Sequence, residues 1–161
     1  MAVYFFDTSA LVKRYVNETG SAWVGQVTDP KSSNKIYITR ITGVEIVSAL
    51  MKKVRDTKSP LPLDAAKKAI AEFRNDFQNQ YELLRITDSL LQTAMELPEK
   101  HKLRAYDAVQ LSAALIISTQ SVQQGIPATG IPSLVLVASD SELLDAAQAE
   151  GLAVDDPRNH P

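Results

Sequence analysis

Four acidic residues lie where the sequence predicts the ends of strands and the starts of helices. Asp7 directly follows the apolar run VYFF, and Asp140 follows the apolar run LVLVAS. Glu45 lies in the first turn of a helix predicted to begin at Thr42. Asp107 lies inside a mostly apolar helix, where a buried carboxylate costs free energy unless a cation or hydrogen-bond donors compensate it. These positions raise the question of whether the four carboxylates share one site.

A shared carboxylate site would need a positive charge. Carboxylates that converge on one cleft raise one another's pKa, so that a cation is needed among them. The chain has no cysteine and only two histidines, His101 and His160, which disfavours a zinc site of nitrogen and sulfur ligands. Oxygen ligands suit a hard cation, Mg²⁺ or Mn²⁺. Because such an ion supports the attack of water on a phosphodiester, the acids predict metal-dependent hydrolysis of that bond.

Two of the acids also have a structural interpretation as helix caps. Asp7 and Asp140 each precede a predicted helix, and aspartate is a common N-cap. Helix capping alone is a sufficient explanation for one such acid. Thr8 and Ser9 are better placed than Asp7 to cap the first helix, which favours a site role for Asp7.

Glu45 and Asp107 have structural alternatives of other kinds. With Thr42, Glu45 matches a capping box, in which a glutamate reaches back to the first backbone N–H of its helix. That role is compatible with a place in the cleft, because the box lies at the same edge of the sheet. Asp107 could form an ion pair with Arg104, three residues earlier on the helix. The apolar neighbours of Asp107 favour a buried site over that exposed pair.

The elements that would position these acids alternate between strands and helices, as is typical of a parallel sheet covered on both faces. Strands are predicted at residues 3–6, 36–39, 81–86, 134–139 and 152–156. Helices are predicted at 9–16, after Ser21, from Thr42, at 63–79, after Thr87 or Asp88, at 103–118 and at 141–150, with a loop at 119–133. Because ligands bind at the carboxyl ends of parallel strands, neighbouring strands would bring Asp7 and Asp140 together there.

Composition sets the class of protein. With 161 residues, 45% of them hydrophobic and 22% charged, the chain is predicted to form one domain over residues 1–161. Its apolar runs are too short to span a membrane, and the lack of cysteine fits a reducing, cytoplasmic compartment. The formal net charge of −2 argues against a protein that coats nucleic acid through bulk charge. Contact with a polyanion would therefore need a local basic patch or bound metal ions.

Four stretches of the sequence resemble the successive motifs of PIN-domain ribonucleases, and most closely those of VapC-type toxins from toxin–antitoxin pairs. The stretches are VYFFDTSALVKRYV, TGVEIVSAL, LRAYDAVQLSAAL and LVLVASDSELLDAA. The resemblance implies an α/β/α sandwich with a central parallel sheet flanked by helices, and an acidic cleft that binds Mg²⁺ or Mn²⁺ and cleaves RNA. It also implies a homodimer and a cognate antitoxin whose C-terminal segment lies across the cleft.

The same resemblance implies roles for particular residues. It assigns catalytic and metal-binding roles to four acids: Asp7, Glu45, Asp107 and Asp140. Asp7 and Asp107 match the principal metal ligands of the family. Ser9 matches a hydroxyl that hydrogen-bonds within the site, and Ser139 stands where the family often has a small polar residue before its last acid.

Basic residues near the predicted cleft are candidates for holding the RNA backbone. They are Lys13, Arg14, Arg40 and Arg104. Arg104 is favoured because it shares a helix face with Asp107. Lys13 and Arg14 are adjacent on a helix and point about 100° apart, so they cannot face the cleft equally. For each of these residues, the alternative is an ordinary solvated position.

Two other functions are compatible with parts of the pattern. One is a non-catalytic PIN-like module whose acidic cleft binds a basic antitoxin-type peptide, which the presence of all four acids disfavours. The other is phosphoryl transfer through an aspartyl-phosphate, which calls for a second aspartate where this chain has Ser9. The favoured function is a Mg²⁺-dependent endoribonuclease in which either Glu45 or Asp140 orients the attacking water.

Overall fold

A five-stranded parallel sheet forms the centre of the protein. The computed structural model describes residues 1–123 and 134–160. The strands are β1 (Val3–Phe6), β2 (Lys35–Thr39), β3 (Glu82–Leu84), β4 (Val135–Val137) and β5 (Ala153–Asp155). Their order across the sheet is β3-β2-β1-β4-β5, and every neighbouring pair is parallel. The predicted parallel sheet is confirmed.

Helices fill most of the connections between the strands. They are α1 (Thr8–Leu11), α2 (Ser21–Val27), α3 (Thr42–Val54), α4 (Leu63–Asn79), α5 (Asp88–Lys100), α6 (Ala105–Gln123) and α7 (Ser141–Ala149). Short 3₁₀ turns follow at Val12–Arg14, Pro30–Ser32 and Pro157–Asn159. In the part of the chain that the structure describes, none of these helices combines the length and apolar character needed to cross a bilayer.

The helices cover both faces of the sheet. Successive strand residues alternate between two cores because their side chains point to opposite faces. Phe5 and Leu136 lie in the core formed with α5, α6 and α7. Phe6 and Val137 lie in the opposite core, formed with α1, α2, α3 and α4. The expected α/β/α sandwich is therefore confirmed.

The strand order reverses at β1. The chain runs outward from β1 to β2 and β3, and then returns through α5 and α6 to β4 on the other side of β1. Phe6 is paired with Val137 in register, and the Asp7 N–H donates to the Val137 carbonyl oxygen at 2.9 Å. In open parallel sheets, such a reversal opens a crevice at the carboxyl ends of the strands, and ligands bind there.

Two predicted elements differ most clearly from the structure. The helix expected over residues 9–16 is the shorter α1 followed by the 3₁₀ turn Val12–Arg14. Residues 119–123, expected to be the first part of a loop over 119–133, belong instead to α6, which continues to Gln123. Residues 119–123 contain no glycine or proline, so no strong helix breaker ends α6 earlier. The rest of that predicted loop, residues 124–133, lies outside the described residues.

Candidate metal and catalytic site

A cleft of about 580 Å³ opens at the carboxyl edge of the sheet and is lined by all four predicted acids. Asp7 follows β1, and Asp140 follows β4, its neighbour in the sheet. Glu45 lies in the first turn of α3, and Asp107 in the first turn of α6. Residues far apart in the sequence therefore meet at the point where the strand order reverses.

Asp7 is held in place by the residue two positions later. Its Oδ2 accepts hydrogen bonds from the backbone N–H of Ser9 at 2.9 Å and from Ser9 Oγ at 2.6 Å. Asp7 is therefore the N-cap of α1, and the expectation that Thr8 or Ser9 would cap this helix is wrong. Residue 7 has the extended backbone of an N-cap, whereas Thr8 is already helical. At 6% exposure, Asp7 is buried.

The two serines join the ends of β1 and β4. Ser9 Oγ, which donates to Asp7, also accepts a hydrogen bond from the backbone N–H of Ser139 at 2.9 Å. The next residue, Asp140, caps α7, and its Oδ1 accepts a bond from the N–H of Leu143 at 3.1 Å. Asp140 thus both caps α7 and lines the cleft. Ser139 Oγ is buried and has no hydrogen-bond partner among the described residues.

Glu45 is fixed by side chains from two other elements. Its Oε2 accepts hydrogen bonds from Thr8 Oγ1 at 2.7 Å and from Gln110 Nε2 at 2.8 Å. The capping-box interpretation is wrong, because Ile41 is the N-cap of α3 and makes no side-chain capping bond. The carboxylate turns away from its own helix end and toward α1 and α6.

Gln110 is a site residue that the sequence analysis missed. It is fully buried, and its Oε1 accepts a hydrogen bond from Thr39 Oγ1 at 3.0 Å. Its Nε2 donates to Thr42 Oγ1 at 3.2 Å as well as to Glu45. The signal available in the sequence was a glutamine three residues after Asp107 in a mostly apolar helix. A buried amide must find partners, and here they orient Glu45.

Asp107 is partly buried at the start of α6. Its Oδ2 accepts a hydrogen bond from the backbone N–H of Arg104 at 3.3 Å. The alternative of an Asp107–Arg104 ion pair is not realised between these two described residues, since the contact is made by the main chain. Arg104 still lines the cleft, and its charge acts to lower the pKa of Asp107.

The four hydrogen-bonded carboxylates share one pattern. Each of the bonds described above ends on a single oxygen of its carboxylate: Oδ2 of Asp7, Oε2 of Glu45, Oδ2 of Asp107 and Oδ1 of Asp140. The second oxygen of each carboxylate accepts none of these bonds. One oxygen of each group thus accepts the hydrogen bonds that orient it.

The acids repel one another across the cleft. Burial raises the pKa of Asp7 despite the hydrogen bonds from Ser9, and the charge of Glu45 raises it further. Burial also raises the pKa of Asp107, and the charges of Asp7 and Asp140 add to the rise. These shifts connect all four carboxylates electrostatically, as expected for acids that converge without a neutralising cation.

The donor chemistry fits a hard divalent cation, because the acids supply only oxygen ligands, as Mg²⁺ and Mn²⁺ prefer. In residues 1–123 and 134–160, however, no three histidine, aspartate or glutamate side chains are already arranged to hold one ion. Asp7 and Asp140 lie close enough to Asp107 for their charges to raise its pKa, but the described side chains do not form a complete set of ligands.

Of the four predicted RNA-binding residues, Arg104 lines the acidic cleft. Lys13 Nζ donates to Glu18 at 3.2 Å instead. Arg14 Nε donates to the buried Asp76 at 3.0 Å, which fastens the 3₁₀ turn to α4. Arg40 lines a different cavity, between α3 and α4. Lys13 and Arg14 are thus engaged inside the protein rather than at the cleft.

A comparison with protein families identifies the class of this chain. The model of the PIN domain matches residues 4–148. The chain therefore belongs to the PIN domain family, and its resemblance to VapC-type members is also confirmed.

The chain is similar to two curated proteins of Mycobacterium tuberculosis. They are ribonuclease VapC45 of strain CDC 1551 / Oshkosh and ribonuclease VapC49 of strain ATCC 25618 / H37Rv. Each is 29% identical over 157 residues, which cover 96% of this chain and 95% of the relative. The similarity therefore extends over nearly the whole length of both proteins.

Two solved structures share the fold. One is VapBC2 from Rickettsia felis bound to a DNA fragment from its promoter, with a TM-score of 0.59 and 14% identity over 96% of this chain and 98% of that chain. The other is a toxin–antitoxin complex from Klebsiella pneumoniae, with a TM-score of 0.58 and 16% identity over 98% of each chain. At these identities the likeness supports the fold.

Proposed function

We propose that this protein is a metal-dependent endoribonuclease and the toxin of a toxin–antitoxin pair. The observation that carries the proposal is the single cleft lined by Asp7, Glu45, Asp107 and Asp140. In it, the charge of Glu45 raises the pKa of Asp7, and the charges of Asp7 and Asp140 raise the pKa of Asp107. The names of the two mycobacterial relatives support RNA as the substrate.

The four acids would hold Mg²⁺ or Mn²⁺, with Asp7 and Asp107 as the principal ligands. Such an ion, when bound, would lower the pKa of a water molecule and neutralise charge on the phosphate. Ser9 keeps the Asp7 carboxylate at the end of β1 through two hydrogen bonds. Asp107 lies in the first turn of α6 and accepts a hydrogen bond from the backbone N–H of Arg104. The guanidinium of Arg104 can hold a phosphate oxygen of the substrate.

Glu45 is the acid that we assign to orienting the attacking water. Thr8 and Gln110 both donate to its Oε2, so the carboxylate is fixed while Oε1 accepts neither bond. A general base must be held within hydrogen-bond reach of the proton that it receives. The Asp140 carboxylate is held by a single backbone donor, the Leu143 N–H, so fewer hydrogen bonds fix its orientation than fix that of Glu45.

An antitoxin partner and a homodimer belong to the same proposal. The Klebsiella structure is a toxin–antitoxin complex, and it shares this fold. A cognate antitoxin covering the cleft would inhibit cleavage. Light scattering on the purified chain measures whether two copies associate.

The Asp107→Asn variant tests the proposed reaction. Asparagine keeps an oxygen that can accept the Arg104 N–H but removes the charge needed to hold the ion. We expect cleavage of a panel of RNAs in Mg²⁺ to fall at least about a hundredfold, and the metal chelator EDTA to abolish cleavage by the wild type.

The matched control is Asp64→Asn, because Asp64 is exposed on α4 and does not line the cleft. Its cleavage rate should equal that of the wild type. Equal rates for Asp107→Asn and the wild type would remove Asp107 from the reaction. A wild type that binds the antitoxin but cleaves no RNA would favour the non-catalytic module.

A further inference from the structure

One face of α3 carries a row of polar residues that starts at the acidic cleft and continues beyond it. At 3.6 residues per turn, Glu45, Ser48, Lys52 and Arg55 fall within an arc of about 80°. Glu45, Ser48 and Lys52 line the acidic cleft. Ser48, Lys52 and Arg55 line the next cavity, of about 510 Å³. Because the two cavities share residues, they form one path along the helix.

Lys52 and Arg55 have no charged partner among the described residues. Both residues are exposed, and neither side chain makes a hydrogen bond or ion pair with another residue in the described part of the chain. Lys53 differs from its neighbour Lys52, since it points about 100° away and is paired with Glu18. Lys52 and Arg55 are therefore available to an anion from solution.

Asp56, which lines the second cavity, is already engaged in hydrogen bonds. Asp56 Oδ1 accepts hydrogen bonds from the N–H groups of Ser59 at 3.0 Å and Lys58 at 2.8 Å. These two bonds lower the pKa of Asp56. The carboxylate closes the turn after α3 and does not pair with Arg55.

We infer that Ser48, Lys52 and Arg55 bind the backbone of the RNA strand on one side of the scissile phosphate. The inference rests on the proposed ribonuclease function and extends its substrate site beyond the cleft. The row from Glu45 to Arg55 is about 15 Å long at 1.5 Å per residue, which exceeds the reach of a single nucleotide. Contacts to phosphates position a nucleic acid without reading its sequence, so these residues strengthen binding to any RNA that reaches the cleft.

The salt dependence of RNA binding tests the row. Asp107→Asn serves as the parent protein, so that the RNA is not cleaved during the measurement. Binding of a fluorescently labelled single-stranded RNA in Mg²⁺ is measured by anisotropy at several salt concentrations. Adding Lys52→Gln and Arg55→Gln should reduce the slope of log K against log salt by about 0.7 for each lost contact, or about 1.4 together. Adding Lys67→Gln and Lys68→Gln, at exposed positions of α4, provides a control of equal charge and should leave the slope unchanged.

Each outcome decides the inference separately from the ribonuclease proposal. An unchanged slope in the Lys52 and Arg55 variant, or an equal loss in the α4 control, would overturn the row as a binding path. A parent protein that binds no RNA would overturn it as well. The ribonuclease proposal is judged by a different result, the Mg²⁺-dependent cleavage of RNA by the wild type. Far-ultraviolet circular dichroism checks that the exposed substitutions leave the fold intact.

Discussion

The carboxylates of the cleft carry an electrostatic cost in the absence of a cation. Burial and neighbouring acids raise the pKa of Asp7 and of Asp107. For an acid whose pKa is higher in the folded state than in the unfolded state, the folded state binds more protons between those two values. Its contribution to stability therefore decreases as pH rises through the raised pKa.

Thermal unfolding of Asp107→Asn in metal-free buffer measures this cost. Near neutral pH, we expect the variant to melt a few degrees above the wild type, because it lacks the charge that Asp7 and Asp140 repel. As pH falls toward the unperturbed aspartate pKa of about 4, Asp107 becomes protonated and the difference should shrink. A difference that stays constant with pH would contradict the repulsion.

The hydrogen bonds of Gln110 predict a role in positioning Glu45. In Gln110→Leu, Thr39 and Thr42 lose a buried partner and Glu45 loses one of its two donors. We expect affinity for Mn²⁺ and the cleavage rate each to fall about 10- to 100-fold.

Two further variants separate this role from a general loss of structure. Gln92→Leu, on the exposed surface of α5, should leave Mn²⁺ affinity unchanged. Gln110→Glu keeps the acceptor for Thr39 but replaces the donor to Glu45 with a second acid. Mn²⁺ affinity at the wild-type level in Gln110→Leu would exclude the positioning role.

At the scale of elements, the site depends on one contact made by the end of β1 and one made by α1. The end of β1 is joined to β4 through Asp7, Ser9 and Ser139, and the following helix α1 reaches α3 through Thr8 and Glu45. The segment after α1 is anchored separately, because α2 begins at a turn packed against Pro157. The position of α2 therefore depends on the C-terminal 3₁₀ turn.

Substitution of Gly20 tests that anchor. Gly20 has a φ of +89°, and a Cβ there would lie 2.2 Å from the carbonyl oxygen of Pro157. Gly151 has a similar φ of +87° but open space around it. Gly151→Ala should lower the free energy of unfolding by about 1 kcal/mol through backbone strain alone. Gly20→Ala should lower it by about 3 kcal/mol or more, because strain and collision add.

Urea denaturation of the two variants gives the comparison directly. Equal losses would mean that the turn at Gly20 moves freely away from Pro157. In that event α2 would not be anchored by the C-terminal turn.

At the scale of the whole molecule, the sequence was sufficient to predict the parallel sheet and the meeting of the four acids in one cleft. Apolar runs such as VYFF mark buried strands, and an aspartate after such a run must lie at the carboxyl edge. The finer contacts of Asp7 and Glu45 were not predictable, because the residues that cap a helix depend on backbone angles that neighbouring elements set. Gln110 was missed for a related reason, since its partners come from β2 and α3.

The basic residues illustrate the same limit of local patterns. Lys13 and Arg14 stand close to Asp7 in the sequence, yet their charges pair with Glu18 and Asp76. Lys52 lies far from the other motifs but lines the cleft. Proximity along the chain is a poor guide to the cleft, since helix direction and packing decide where a long side chain ends.

The placement of β4 beside β1 has a consequence during synthesis of the protein. β1 is made before β2, β3 and α6, and it gains β4 as its second neighbour only after all of these have been made. Asp140 emerges later still, so a nascent chain lacks one of its four carboxylates and the Ser9–Ser139 bond that joins the two strand ends. Under the proposed function, an unfinished polypeptide cannot cut the messenger from which it is being translated.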